Sequence, residues 1–202
     1  MIKKGLNKAE LVDRAKWLLE TVNDKTVEKR PCVFFSHKRE DKPACREIAE
    51  YFKDAGIDYY LDEEDDGLQI ASMTNNAEQI TEFIKKGISE SSHMLVVISE
   101  KTYLSQWVPF EVGYGHAAIL DKNNYQNEEN KIKLGILTLQ DISEKKLPDY
   151  LQVGYQIRGT KSLNKYISEI SDKTESKMIN ETRIFSNTKS YHPLDNVLNW
   201  RI

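Results

Sequence analysis

Apolar residues along the chain form short continuous runs that alternate with stripes at helical spacing. The runs at 31–35, 57–61, 93–99 and 132–139 predict strands buried on both faces, and residues 155–157 are a candidate fifth strand. Stripes with a spacing of three and four residues predict helices between these strands. Strands that alternate with helices in this way indicate an α/β fold with a mainly parallel sheet.

The predicted architecture is a three-layer sandwich of about five strands. Right-handed crossovers place helices on both faces of such a sheet. Ligands of open α/β sheets bind outside the carboxyl ends of the strands. We therefore expect a functional site among the loops that follow Phe35, Leu61, Ser99 and Leu139.

Two segments flank the alternating region. Residues 6–24 predict an amphipathic helix whose apolar stripe packs on the domain, on a second copy of the chain, or in the groove of a partner. The stripe consists of Leu11, Val12, Ala15, Leu18, Leu19 and Val22. The polar C-terminal segment carries Phe185, Tyr191 and Trp200 and is expected to dock on the domain or on a partner. These features divide the chain into an N-terminal helix and linker (1–30), a main domain (31–174) and a C-terminal extension (175–202).

Composition and charge exclude several classes of protein. The chain has 202 residues, of which 39% are hydrophobic and 30% charged, so it is too apolar to be disordered. It has neither an apolar run of roughly 18 residues nor a signal-peptide core, so we expect a cytoplasmic protein without membrane contact. A net charge of -3 argues against nucleic-acid binding through a broad basic face. Cys32 and Cys45 are expected to be buried and reduced.

Several common catalytic motifs are absent. The sequence has no G-x-G-x-x-G, P-loop or G-x-S-x-G pattern. Its four histidines lack metal-ligand spacing, so we expect no metal site. The first and third strands end at Ser36-His37 and Ser99 rather than at the acidic residues of a receiver domain.

The segment after the most apolar strand carries the most informative motif. Residues 99–111 read S-x-x-x-Y-L-S-x-W-x-x-x-E. Together with Phe34-Phe35-Ser36-His37 and Tyr60-Leu61-Asp62, this motif resembles the TIR (Toll/interleukin-1 receptor) domain family, specifically its bacterial members, over residues 31–172. The resemblance implies a flavodoxin-like sheet and a stand-alone TIR protein of the antiphage-defence type.

The resemblance also implies cleavage of the nicotinamide–ribose bond of NAD+, which would be a substrate rather than a cofactor, with Glu111 as the catalytic residue. The chemistry is reasonable because the transition state resembles an oxocarbenium ion that a fixed carboxylate can stabilise. Pro109 places Glu111 in the first turns of a helix, whose dipole is expected to favour the ionised carboxylate. Trp107 lies four residues before Glu111 and is expected to shield the site from water.

Candidate substrate-binding residues follow the first strand. Ser36, His37 and Arg39, or Lys38, are candidates for contacts with the phosphates and riboses of NAD+. The alternative is a solvated turn in which Ser36 satisfies local backbone donors. Phe35 is a candidate for stacking on a base, although a place in the core is the safer interpretation.

Two further candidates lie elsewhere in the motif. Asp62 is positioned to bind a ribose hydroxyl, whereas the acidic run through Asp66 is interpreted as a solvated face. Tyr103 is a candidate for lining the pocket, and packing is an equally good interpretation.

Three functional classes follow from these observations. The first is an NAD+ glycohydrolase or cyclase that releases nicotinamide and ADP-ribose or a cyclic isomer, in antiviral signalling through a separate effector protein. Self-association would complete its pocket. The second is a non-enzymatic TIR interaction module, in which the Glu111 carboxylate has no chemical role. The third, a nucleoside deoxyribosyltransferase, is disfavoured because Tyr103-Leu104-Ser105 and Trp107 match the TIR pattern better.

Overall fold

A five-stranded parallel sheet forms the centre of the protein. The computed structural model describes residues 3–25, 27, 30–121, 128–140, 142, 147–182, 184–186 and 191–199. The strands are β1 (Cys32–Ser36), β2 (Asp58–Tyr60), β3 (His93–Ile98), β4 (Leu134–Thr138) and β5 (Tyr155–Ile157). Their order is β2-β1-β3-β4-β5, and each neighbouring pair is parallel. The predicted α/β fold and all five predicted strands are therefore confirmed.

Helices connect and follow the strands. They are α1 (Leu11–Asn23), α2 (Lys42–Asp54), α3 (Asp66–Met73), α4 (Ala77–Ser89), α5 (Trp107–Gly115), α6 (Glu128–Lys131), α7 (Thr160–Ile170) and α8 (Glu175–Glu181), and a π-helical turn extends α5 over His116–Leu120. The sequence did not predict the short helices α3, α6 and α8, since four to eight residues show little periodicity. No helix in the described residues is long and apolar enough to cross a membrane.

The side chains of the strands divide between two cores. On one face, Phe35 and Val97 pack with α2, α7 and the C-terminal segment. On the other face, Phe34 and Val96 pack with α3, α4 and α5. Burial on both faces explains why the strands appear in the sequence as continuous apolar runs, and it confirms the three-layer arrangement.

The segment before α1 forms an additional edge of the sheet. The Tyr59 amide donates to the Leu6 carbonyl over 3.0 Å, and the Lys8 amide donates to the Tyr59 carbonyl over 2.8 Å. The Gly5 amide donates to Lys53 over 2.8 Å, and a Cβ at Gly5 would lie 1.8 Å from the Ile57 carbonyl oxygen. The prediction of a helix from residue 6 is therefore wrong for its first five residues, because their backbone groups pair with the open edge of β2.

Helix α1 turns its polar face, and not its apolar stripe, towards the domain. Arg14 forms a 2.7 Å ion pair with Glu90, and Asp13 accepts a 2.9 Å hydrogen bond from the Asn7 amide. The large residues of the stripe are each more than half exposed: Leu11, Val12, Leu18, Leu19 and Val22. Packing of the stripe on its own domain is thus ruled out within the described residues. Contact with a second copy or with a partner stays a prediction.

The C-terminal segment docks on the domain, as one of the two sequence interpretations expected. His192, Leu194 and Leu198 are buried against the core. The Gln140 amide donates to the Val197 carbonyl over 3.0 Å, and the Thr160 amide donates to the Asn199 carbonyl over 2.9 Å. Trp200 lies outside the described residues. Because the segment pairs with residues just after β4 and β5, it covers that part of the carboxyl edge of the sheet.

Candidate active site

A cavity of about 690 Å³ opens at the carboxyl ends of β1 and β2. This volume lies within the range of roughly 300–1,000 Å³ that is typical of small-molecule sites. The loops after β1 and β2, helices α2, α3 and α4, and the start of α5 line it. Its charged lining residues are Lys38, Arg39, Lys42, Arg46, Asp62, Glu63 and Glu111. Of the four loops that the sequence singled out, those after Phe35, Leu61 and Ser99 contribute to this lining, the last of them through Ser105 and Gln106, whereas no described residue of the loop after Leu139 does.

Glu111 lies at the buried end of the cavity. Its side chain projects from α5, which Val108 and Val112 anchor in the core, and the residue is only 3% exposed. The Ser36 hydroxyl, at the end of β1, donates a 2.5 Å hydrogen bond to Glu111 Oε2. A buried strand and a buried helix face thus hold the carboxyl group in one position.

Burial determines the proton affinity of this carboxyl group. Loss of solvation raises the pKa of Glu111 to about 8, with a further upward contribution from the Asp62 carboxylate, and the Ser36 hydrogen bond only partly opposes them. The helix dipole was expected to favour the ionised form of Glu111, but burial outweighs such a contribution in the ligand-free protein, where the pKa is raised. A dipole at a helix terminus contributes about 1 kcal/mol, less than the desolvation of a fully buried carboxylate.

Asp62 supplies a second carboxyl group at the cavity. Burial raises its pKa, whereas His37 and Lys42 lower it. His37 Nδ1 lies 3.9 Å from Asp62 Oδ1 and 3.3 Å from the Phe35 carbonyl oxygen. Since a carbonyl oxygen can only accept, this contact requires a proton on Nδ1.

The acidic run around Asp62 is not the solvated face that the sequence indicated. Glu63 and Asp65 are buried. Asp65 Oδ1 accepts a 3.0 Å hydrogen bond from the Leu68 amide and so caps the N-terminus of α3. The carboxylates are held inside the fold because they serve as a helix cap and as ion-pair partners.

Most of the predicted site residues come together at the cavity. His37, Arg39, Asp62, Trp107 and Glu111 line it, and Ser36 reaches it through its hydrogen bond to Glu111.

Phe35 and Tyr103 are not brought to the cavity. Phe35 is fully buried on the opposite face of the sheet, with its ring centroid 5.4 Å from that of Phe52 and 6.1 Å from that of Tyr59. Successive residues of a strand point to opposite faces, so Ser36 and Phe35 cannot both face the site. Tyr103 lies on a 3₁₀ turn (Thr102–Leu104), where it is partly exposed and outside the cavity lining.

Sequence reasoning missed three charged residues of the cavity, Lys42, Arg46 and Glu63. The sequence did contain a signal for Lys42 and Arg46. Together with Arg39 they recur at spacings of three and four residues, which places them on one face of a helix. Glu63 carried no such signal, since its burial depends on the turn after β2.

Removing the Ser36 hydroxyl is expected to raise the pKa of Glu111 further. The hydroxyl donates to the carboxylate, and a bond of this kind stabilises the ionised form by about 1–2 kcal/mol, or about one pKa unit. Titration of the ¹³C carboxyl resonance of Glu111 in Ser36→Ala would measure the shift. Ser72→Ala, at the same cavity, is the matched control and should leave the titration unchanged. An unchanged pKa in Ser36→Ala would show that the hydrogen bond has no electrostatic role.

Residues 33–146, more than half of the chain, match the TIR domain family. The match contains all of the charged residues that line the cavity. No curated protein matches the sequence.

Proposed function

The chain belongs to the TIR domain family, and we propose that it cleaves the nicotinamide–ribose bond of NAD+. The family includes NAD+ hydrolases as well as non-enzymatic members, so membership alone does not decide between the two. The observation that carries the proposal is the carboxyl group of Glu111, fixed by Ser36 at the buried end of a cavity of suitable size.

The proposed reaction begins with heterolysis of the C1′–N bond. The bonding electron pair leaves with nicotinamide, which departs as a neutral molecule and needs no general acid. The ribosyl group becomes an oxocarbenium-like cation, which the ionised Glu111 carboxylate stabilises. Attack of water at C1′ then gives ADP-ribose and one proton, and attack by a nucleophile of the same molecule gives a cyclic isomer.

Substrate binding and ionisation of Glu111 are coupled in this proposal. In the ligand-free protein the raised pKa keeps Glu111 largely protonated at neutral pH. The nicotinamide ring of NAD+ carries a positive charge, and an opposite charge a few ångströms away favours the ionised carboxylate. Entry of the substrate therefore favours release of the Glu111 proton to solvent, which gives the anion that the transition state needs.

The remaining cavity residues have supporting roles in the proposal. Asp62 accepts hydrogen bonds from ribose hydroxyls. His37 and Arg39, which follow β1, contact the polar part of the substrate. Trp107 lies at the rim, where its ring meets Phe110 edge to face at a centroid distance of 6.0 Å, and it shields the reacting bond from water.

In its biological role, the protein would act in bacterial antiviral signalling. Its nucleotide product would be read by a separate effector protein, or NAD+ would simply be depleted. TIR domains self-associate, and assembly of several copies would complete the pocket. A cytoplasmic location, where NAD+ is available, fits this role.

A non-enzymatic interaction module is the second candidate function. The observation that favours it is the apolar stripe of α1, which the described part of the chain leaves exposed. In this alternative the exposed stripe and the TIR surfaces join copies of the chain or other proteins, and the cavity has no substrate.

Product analysis distinguishes these functions. The purified protein, at high concentration, is incubated with NAD+, and the products are separated by chromatography and identified by mass. Nicotinamide together with ADP-ribose supports hydrolysis, and a product lighter than ADP-ribose by one water supports cyclisation. Unchanged NAD+, also in the presence of a crowding agent that promotes assembly, contradicts the enzymatic proposal and favours the interaction module.

A further inference from the structure

We infer that Lys42 and Arg46, on the α2 wall of the cavity, form an anion-binding subsite for the diphosphate of the substrate, with Glu63 as the residue that positions them. This inference rests on the proposed function, since it assigns part of the same cavity to the phosphate groups of NAD+. None of the three residues belongs to the motifs in which the sequence resembles the TIR family.

Glu63 is held between the two cations. Lys42 Nζ lies 2.9 Å from Glu63 Oε2, and Arg46 Nε lies 2.7 Å from Glu63 Oε1. Only 1% of the Glu63 side chain is exposed. Within the part of the chain that the structure describes, neither carboxylate oxygen has a hydrogen bond of good geometry. The carboxylate therefore attracts both cations without using all of their donors.

The exposure of the three side chains is unequal. The Glu63 carboxylate is covered, whereas the side chains of Lys42 and Arg46 are 33% and 59% exposed and line the cavity. Glu64 Oε1 also lies 3.7 Å from Arg46 Nε, so the two accessible cations face the carboxylates of both Glu63 and Glu64. Arg39 adds a further positive charge to the same lining.

The charges of the cavity are arranged with a polarity. The carboxyl group of Glu111 lies where α5 meets β1, whereas the cations are on α2 and the turn before it, next to Asp62, whose pKa Lys42 helps to lower. NAD+ has the matching polarity, with a cationic nicotinamide ring at one end of the nicotinamide riboside unit and an anionic diphosphate at the other. Opposite charges across a cleft orient a ligand as well as attract it. The diphosphate on α2 would thus direct the scissile bond towards Glu111.

Arg46 is well suited to this role. A guanidinium group has five N–H donors and binds phosphate oxygens in a bidentate manner. Contact of its Nε with Glu63 fixes the side chain and leaves the terminal nitrogens to the ligand. Glu63 thereby acts as a positioning residue and not as a catalytic residue.

The test compares a triple substitution, which makes the net charge more negative by one, with a single substitution. Lys42→Gln/Arg46→Gln/Glu63→Gln removes both cations without leaving a buried unpaired carboxylate, so the fold is preserved. Glu63→Gln alone removes only the negative charge. Lys165→Gln/Glu169→Gln is the matched control, because it neutralises a 3.7 Å ion pair on α7, outside the cavity. Thermal unfolding of each variant checks that it folds.

Kinetics with two substrates give the decisive comparison. For the triple variant we expect KM for NAD+ to rise by about tenfold, as for the loss of a charge-assisted contact. Cleavage of nicotinamide riboside, which has no phosphate, should keep its kcat/KM. Glu63→Gln should raise KM for NAD+ less than the triple variant does, because both cations remain and lose only the carboxylate that positions them. An unchanged KM for NAD+ in the triple variant, or an equal loss with both substrates, would overturn the subsite.

Binding measurements separate this inference from the proposed function. Calorimetric titration with ADP-ribose needs no turnover. Weaker ADP-ribose binding in the triple variant but not in the α7 control supports the subsite, even in a protein that fails to cleave NAD+. Equal binding by wild type and triple variant overturns it, even in a protein that cleaves NAD+.

Discussion

Glu111→Gln is expected to reduce kcat/KM for NAD+ cleavage by about a thousandfold, the usual effect of losing a preorganised group that stabilises charge in a transition state. Glutamine retains the shape of the side chain and can still accept the Ser36 hydrogen bond. It has no negative charge, however, and cannot stabilise a ribosyl cation. The loss should therefore lie mainly in kcat, because the cations that attract the diphosphate are unchanged.

The control for this prediction is a carboxylate of the same type outside the cavity. Glu169→Gln on α7 should leave kcat and KM for NAD+ unchanged. Nicotinamide release can be followed by chromatography over at least four orders of magnitude in enzyme concentration. A Glu111→Gln protein with more than a tenth of the wild-type rate would remove Glu111 from the catalytic role.

The same substitution is expected to change how stability depends on pH. Glu111 has a raised pKa in the folded state, from 4.5 to about 8, so the folded protein binds a proton that the unfolded chain releases. Its contribution is fully present below pH 4.5 and is lost as pH rises towards 8. Over that window wild type should lose up to about 1.4 kcal/mol per pH unit relative to a protein with a neutral residue at this position.

Urea unfolding at a series of pH values measures this difference. The free energy of unfolding of Glu111→Gln should exceed that of wild type by several kcal/mol at pH 8.5, and the gap should narrow towards pH 5. Glu169→Gln should follow wild type throughout. Parallel stability curves for wild type and Glu111→Gln would show that Glu111 is already ionised in the folded state at neutral pH.

The sequence predicted the fold well because the strands are buried on both faces. Such strands appear as short apolar runs, and all five were located to within about two residues. Helix α2 lies between two of these runs, where the helical spacing predicted a helix, and Gly56 follows it with a φ of 81°, a conformation that favours glycine at a helix end. Glu111, Ser36 and Asp62 lie at one edge of the sheet because of this strand order.

The orientation of α1 and the burial of the acidic residues after β2 could not be predicted from the sequence. An apolar stripe shows that a helix has two faces, but which face meets the domain depends on partners distant in the chain, such as Glu90, which pairs with Arg14 from 76 positions away. Similarly, Glu63 and Asp65 are hydrophilic on any hydropathy scale, which predicts exposure. They are buried because Lys42, Arg46 and the amide of Leu68 provide partners that only the folded chain brings close.

The pKa of Glu111 could not be inferred for a related reason. The helix terminus near Pro109 is visible in the sequence, whereas the depth of the cavity and the neighbouring Asp62 are not. The sequence thus predicted a glutamate that the structure places in the cavity, whereas its raised pKa could be seen only in the fold.

The most direct test of the central claim is the rate of nicotinamide release from NAD+ by wild type and by Glu111→Gln, measured side by side on folded protein at high concentration. The account predicts release by wild type and about a thousandfold less by the variant. Release at equal rates would contradict the role of Glu111, and no release by either protein, under conditions in which the chain self-associates, would contradict the enzymatic function itself.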